Sequence, residues 1–152
     1  MALFGGKQPS GAKAVLKHVE AVLEEMGVSA EETEIPSSDG LTWGLMKGSA
    51  EVYVSITEGE DQSYFHVVSP LMICPEEKLE QIFRRLLELN TTELTGAAFG
   101  VRGERIVVCA GRPATGLDRA EIKDMIVRVG TYADHYDDLF VAEFGGRKHS
   151  EG

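Results

Sequence analysis

The stretch "EVYVSITEGEDQSYFHVVS", residues 51–69, decides the fold class of this chain. Apolar and polar residues alternate through 51–57 and again through 63–69, on either side of the glycine-containing break "EGED". Such alternation is typical of a strand with one buried face, and a short break between two such runs indicates an antiparallel hairpin. Residues 41–47 alternate in the same way and end at the break "KGS", so the sequence predicts a three-stranded antiparallel meander.

Helical periodicity appears on both sides of this meander. In residues 11–26 and in residues 79–87, the apolar positions recur at the spacing of an amphipathic helix. Pro75 and the acids that follow it predict the start of the second helix, because proline suits a first helical position. Asp118, with Glu121 three residues further on, predicts the capping box of a third helix.

The order of these elements predicts the fold class and the number of domains. Residues 97–101 and 105–110 form a second predicted hairpin between the last two helices. Strands in groups of three and two favour an α+β fold with a mainly antiparallel five-stranded sheet, covered by helices on one face. A chain of 152 residues can bury one core, so we expect a single domain over 1–152, with flexible ends at 1–10 and 145–152.

The net charge and the cysteines indicate which partners and which cellular compartment to expect. The net charge is −10, and seven acids without a base lie between Lys17 and Lys47. Such a surface repels phosphate backbones, so we expect no direct contact with nucleic acid. The sequence contains no run of about 18 apolar residues, so no membrane partner is expected. Cys74 and Cys109 are isolated from each other in the sequence, which is typical of reduced thiols in a cytoplasmic protein. No cofactor is expected.

The stretch "YADHYDD", residues 132–138, is the densest group of candidate ligands. On a helix, Asp134 and Asp138 are neighbours one turn apart, with His135 beside them. Metal ligation would need further ligands, and the sequence contains no HExxH pattern to supply them. Three interpretations stay open: a solvated helix face, ion pairs with a partner or dimer mate, and a metal or catalytic site.

Other catalytic signatures are missing from the sequence. His66 lies three residues before Ser69, but no GxSxG elbow or Cys-His signature accompanies them. No glycine-rich loop follows a predicted strand and opens a helix, so a nucleotide site has no support. The sequence therefore predicts no catalytic residues, and a protein that is not an enzyme.

The sheet face turned away from the helices is the candidate protein-binding surface. If Tyr64 and Val68 point inward, Met46 and four further apolar residues point outward. Those four define the candidate binding face: Tyr53, Phe65, Val67 and Val107. A contiguous exposed apolar surface usually marks an interface, here with a client protein or with a dimer partner. Glu58 and Asp61 form a predicted acidic rim that would attract basic side chains.

Several segments resemble one bacterial family. They are "VYVSI", "YFHVVSPL", "LLELN", "GAAFGVRGERIVVCAGRP" and "LDRAEIKDMIVRVGTYADHYDDLF". Over roughly residues 11–144, these motifs and the order of elements resemble the YbjN-type domain family, whose members are described as sensory-transduction regulators. The resemblance implies the fold of type III secretion chaperones, in the order α-β-β-β-α-β-β-α. It also implies a small homodimeric, non-enzymatic protein that binds other proteins.

The residues and the resemblance together favour a homodimeric, chaperone-like adaptor or regulator that holds a segment of a partner protein. Its expected partners are a second copy of itself and an unidentified client protein. Two alternatives stay open. One is a small metal-dependent enzyme or metal-binding domain at Asp134, His135 and Asp138, and the other is a small-molecule sensor with its ligand between helix and sheet.

Overall fold

A computed structural model describes residues 7–38 and 40–151 of the chain. Its helices are α1 (Lys7–Glu25), α2 (Ala30–Thr33), α3 (Leu79–Thr92) and α4 (Arg119–Phe144). Its strands are β1 (Glu34–Ile35), β2 (Gly40–Lys47), β3 (Ala50–Glu58), β4 (Ser63–Ile73), β5 (Ala98–Arg102), β6 (Arg105–Pro113) and β7 (Arg147–Lys148). A 3-10 turn, His149–Glu151, follows β7.

The strands form one antiparallel sheet in the order β1-β2-β3-β4-β6-β5. The short strand β7 pairs with the end of β4. The predicted α+β fold with an antiparallel sheet is confirmed, and the five predicted strands correspond to β2 through β6. The two additional strands, β1 and β7, have only two residues each, which is too short for a periodic signal in the sequence.

Helix α4 lies against five strands of the sheet, β2, β3, β4, β6 and β7, and buries an apolar stripe in the core. Asp118 caps its first turn as predicted, because the Asp118 carboxylate accepts the Glu121 backbone N–H at 2.9 Å. Gly130 lets the helix approach the sheet closely, since a Cβ at that position would lie 2.8 Å from Lys47 Cβ. No helix among the described residues has the length and apolar composition needed to cross a membrane.

The predicted orientation of β4 is wrong by one residue. Phe65 and Val67 pair with Ile56 and Val54, which belong to the helix-covered face, and both are 0% exposed. The reason is the register of the hairpin, in which Glu58 pairs with Ser63 across a turn of four residues. That register places the odd-numbered residues of β4 on the same face as the even-numbered residues of β3.

Two element boundaries also differ from the prediction. Helix α3 begins at Leu79 rather than at Pro75, because Lys78 adopts a left-handed conformation with φ of 62° and the helix starts only after it. Strand β4 continues beyond Pro70, although proline has no N–H to donate to the ladder. The sheet accommodates Pro70 with a shift of register between Pro70 and Met72.

Both predicted flexible ends contain regular structure in their described parts. Residues 1–6 of the predicted end 1–10 lie outside the described residues, and helix α1 begins at Lys7. Within 145–152, Arg147–Lys148 pairs with Met72 and Ile73 of β4. The pairing of β3 with β4 ends at Val68 of β4, so β3 does not pair with the last residues of β4 on that side. Strand β7 pairs with that exposed edge.

Candidate functional site

The outer face of the sheet, turned away from α4, carries a row of small and apolar side chains. Residues paired across antiparallel strands point to the same face, so the register defines this row directly. It crosses β2, β3, β4, β6 and β5, and we call it the apolar row: Gly44, Tyr53, Val68, Cys109 and Ala98. Five strands therefore contribute to one apolar band.

A hollow of about 320 Å³ adjoins the apolar row, and we call it the outer hollow. Its lining residues are Tyr53, Val68, Pro70, Arg102, Arg105, Val107 and His149. Val107 faces away from the helices but is only 5% exposed, so it lies at the bottom of the hollow. The hollow combines an apolar base with positively charged and imidazole groups.

Tyr53 is held in place at the centre of this surface. Its hydroxyl donates a hydrogen bond to Glu51 Oε1 at 2.7 Å. That bond, together with partial burial, raises the pKa of Tyr53 above its ordinary value, so the phenol stays protonated. The Tyr53 ring also lies over Gly44 beside Ile35, because a Cβ at Gly44 would meet both side chains within 3.3 Å. An aromatic ring that is fixed at its polar end and lines a hollow is suited to apolar contact.

The structure divides the predicted binding face between the two sides of the sheet. Tyr53 and Val107 lie on the outer face, whereas Phe65 and Val67 lie in the core. Sequence reasoning missed the outer residues of β4, because both alternating sets of that strand are apolar. The four-residue turn before Ser63 was the signal that could have assigned them, since its length sets the register.

Glu58, one of the two residues of the predicted acidic rim, does not line the outer hollow. Its carboxylate accepts the Ser63 hydroxyl at 2.6 Å. Glu58 lines a different hollow of about 220 Å³, together with Lys13 and Leu16 of α1. Asp61 is exposed in the turn between β3 and β4. Attraction of basic side chains by these acids stays a prediction.

The aspartates of "YADHYDD" contact two neighbouring segments of the chain. The Asp134 carboxylate accepts the Ser49 hydroxyl at 2.6 Å and the Ser49 backbone N–H at 3.0 Å. Asp137 accepts the same hydroxyl at 3.1 Å, and Lys148 Nζ lies 2.8 Å from Asp138 Oδ1. We call these three carboxylates the aspartate clamp, because they tie the β2–β3 turn and β7 to α4.

The clamp lacks the arrangement of a metal site. The Ser49 hydroxyl and then the Ser49 backbone N–H hold the pKa of Asp134 below its ordinary value. The His135 ring packs edge-to-face with Tyr136, with ring centroids 4.7 Å apart. In the part of the chain that the structure describes, no three His, Cys, Asp or Glu side chains are grouped so as to hold a metal ion.

Solved structures share this fold at low sequence identity. A chain of the ExsC–ExsE complex aligns with a TM-score of 0.61 and 13% identity, over 84% of this chain and 94% of that one. A chain of the heterodimeric ExoU–SpcU complex, from the type III secretion system of Pseudomonas aeruginosa, aligns with a TM-score of 0.57 and 18% identity. That alignment covers 80% of this chain and 96% of the other.

Sequence comparison identifies the family. No curated protein sequence matches this chain significantly. The family model described as "T3SS (YopN, CesT) and YbjN peptide-binding chaperone 1" matches residues 13–152, which is nearly the whole chain. The resemblance to the YbjN family and the fold of type III secretion chaperones are therefore confirmed. The chain belongs to the family of type III secretion and YbjN peptide-binding chaperones.

Proposed function

We propose that this chain holds an extended segment of a partner protein against the outer face of its sheet. The apolar row carries this proposal, because it crosses five strands on the face of the sheet that is turned away from α4. The same strands fill the core with their other face, so the fold does not need the row for its own packing. Contiguous apolar surface of this kind usually serves an interface.

The size of the outer hollow suits a side chain of a peptide. Its volume of about 320 Å³ lies at the lower end of the range for small-molecule sites, which is about 300–1,000 Å³. Extended peptides are commonly recognised through pockets that accept alternate side chains. Tyr53, whose hydroxyl is fixed and which lines the hollow, would contact the segment there. Membership of a peptide-binding family supports this role.

We further propose that two copies of the chain associate beside β5, leaving the outer hollow free. Strand β5 is the last strand of the sheet order, and Val101 within it is exposed. Helix α3 packs near β5 and carries an apolar stripe at a spacing of four residues. We call it the α3 stripe: Leu79, Phe83 and Leu87. An unpaired sheet edge next to such a stripe can pair with its own copy across a twofold axis.

A binding role without catalysis fits the reactive groups of the chain. Burial raises the pKa of the Cys74 and Cys109 thiols, which keeps them protonated and weakens them as nucleophiles. Both cysteines are free, which is typical of a reducing compartment, and we place the protein in the cytoplasm. The clamp carboxylates contact Ser49 and Lys148, and a structural role accounts for them.

Selection of random twelve-residue peptides displayed on phage tests the proposed function. A selected peptide, labelled with a fluorophore, is titrated with the wild-type protein and with two variants. Tyr53→Ser should weaken binding by about tenfold, the effect of losing one interface anchor. Leu139→Ser changes an exposed residue of α4 and should leave the affinity unchanged. Failure to select any peptide, or equal affinities for Tyr53→Ser and wild type, would refute the proposal.

A further inference from the structure

Three arginines lie in one cross-strand row at the end of the outer face. Arg102 pairs with Arg105, Arg105 pairs with Ile73, and Ile73 pairs with Arg147. The three side chains therefore share one face, and we call them the arginine row. Adjacent strands are about 4.8 Å apart, so Arg102 and Arg105 are direct neighbours, and Arg147 lies two strands from Arg105 with Ile73 between them.

The fold does not neutralise this row with its own acids. The chain has 25 acidic residues, yet within the described ranges no carboxylate forms an ion pair with any of the three arginines. Arg105 Nε–H instead donates to His149 Nδ1 at 2.8 Å. Glu51 lies close by, but it accepts the Tyr53 hydroxyl and its other oxygen lies 3.5 Å from His149 Nε2. Like charges facing each other across a hairpin destabilise it, and a bound anion would relieve that repulsion.

We propose that the arginine row binds the carboxylate of an aspartate or glutamate within the partner segment. This inference rests on the proposed function and names the chemistry of the segment that the outer face recognises. Arginine presents a planar fork of N–H donors that matches a carboxylate, and such charge-assisted hydrogen bonds are strong. In a chain of net charge −10, the arginine row is the part of the outer face that attracts negative charge.

The spacing of the site predicts the spacing of the recognised residues. Arg105 and Val107 are two residues apart on β6 and both face outward. Their separation along the strand is about 6.6 Å, which equals the distance between residues i and i+2 of an extended peptide. The segment therefore carries an acidic residue and a large apolar residue separated by one position. The acid binds the arginine row while the apolar side chain enters the outer hollow.

A nucleic acid fits this surface less well than an acidic peptide. The net charge of the chain is −10, which repels a polyanion over most of the surface. The base of the hollow is formed by Val107, Val68 and Pro70, and none of their side chains can bind a phosphate. An acidic residue beside an apolar one matches both parts of the site.

The test uses an array of random nonapeptides and charge-matched protein variants. One variant carries Arg102→Gln with Arg147→Gln, which keeps the bond between Arg105 and His149. The control carries Arg84→Gln with Arg119→Gln, which removes the same charge from exposed positions on α3 and α4. Unfolding curves establish that both variants are folded before binding is measured.

We expect wild type and control to select peptides with an acid two positions from a large apolar residue. The Arg102→Gln, Arg147→Gln variant should bind those peptides about tenfold more weakly, and changing the peptide's acid to glutamine should have the same effect on wild type. Selection of apolar peptides without acids would overturn this inference alone. Tighter binding of oligothymidylate than of the acidic peptide would also overturn it. Selection of no peptide at all would overturn both this inference and the proposed function.

Discussion

The two faces of the sheet consist of alternate residues of the same strands, but only one is covered. In β4, Phe65 and Val67 are completely buried, whereas Val68 is only partly buried and His66 is exposed. Both sets contain large apolar residues, so hydrophobicity alone does not distinguish them. The difference shows that one face supplies the buried core of the fold, while the other leaves apolar side chains only partly covered.

The largest expected effect comes from truncating the buried face. Phe65→Ala should lower the free energy of unfolding by about 3–5 kcal/mol, because it removes a fully buried ring and leaves a cavity. Tyr53→Ala, on the neighbouring strand β3 and on the opposite face, should cost about 1 kcal/mol. Urea unfolding of both variants measures the difference. Equal losses from the two variants would mean that the faces do not differ as described.

The next effect concerns association, which we assign to neither sheet face. Leu87→Glu places a charge in the α3 stripe, where Leu87 is 65% exposed. Wild type should sediment at micromolar concentration as a dimer of 16.5 kDa chains, and the variant should sediment as a monomer with nearly unchanged stability. A monomeric wild type would rule out the homodimer, and a dimeric variant would exclude the α3 stripe as its interface.

A smaller effect separates binding from stability on the outer face itself. Val107→Thr replaces a methyl group by a hydroxyl at the bottom of the outer hollow. The substitution should weaken the binding of a selected peptide by about 1 kcal/mol, since the hydroxyl would be desolvated when the peptide binds. Val127→Thr makes the same change at a partly buried position on α4, away from the outer face, and serves as the control. If both substitutions lower the affinity for the peptide equally, the hollow is not a specific pocket.

The smallest effect is the pH dependence that the aspartate clamp contributes. Hydrogen bonds from Ser49 hold the pKa of Asp134 below its ordinary value of 3.8. The resulting stability is present above the unfolded pKa and is lost as the pH falls through the folded pKa. Wild type should therefore lose stability more steeply than Asp134→Asn between about pH 4 and pH 2. The midpoints of urea unfolding across that pH range measure this difference, and Glu76→Gln serves as a control at an exposed carboxylate. Parallel pH curves for wild type and Asp134→Asn would contradict the prediction.

The sequence determined the elements of the fold better than their relation to one another. The α+β order and the Asp118 cap could be predicted because each depends on residues close together in the chain. The start of α3 could not, because it depends on the backbone of Lys78. Strand β7 could not either, since it forms only where the end of β4 lacks another partner.

The candidate site was only half predictable for the same reason. The alternation of the strands predicts Tyr53 and Val107 on the outer face, where they lie, but it also predicts Phe65 and Val67 there, because it does not reveal the register of β4. The arginine row was missed entirely, because Arg147 of β7 is distant in the chain from the β5–β6 hairpin that carries Arg102 and Arg105. The aspartate clamp was visible as a cluster, but its contacts with Ser49 required the tertiary structure.

Methyl NMR of a valine-labelled sample tests most directly whether the outer face binds the partner segment. Val67 and Val68 are adjacent in β4 but point to opposite faces, so each is a control for the other. On saturation with a selected peptide, the methyl signals of Val68 and Val107 should shift strongly, and those of Val52, Val54 and Val67 should hardly move. Large shifts confined to the core valines, or to Val15 and Val19 of α1, would contradict the account.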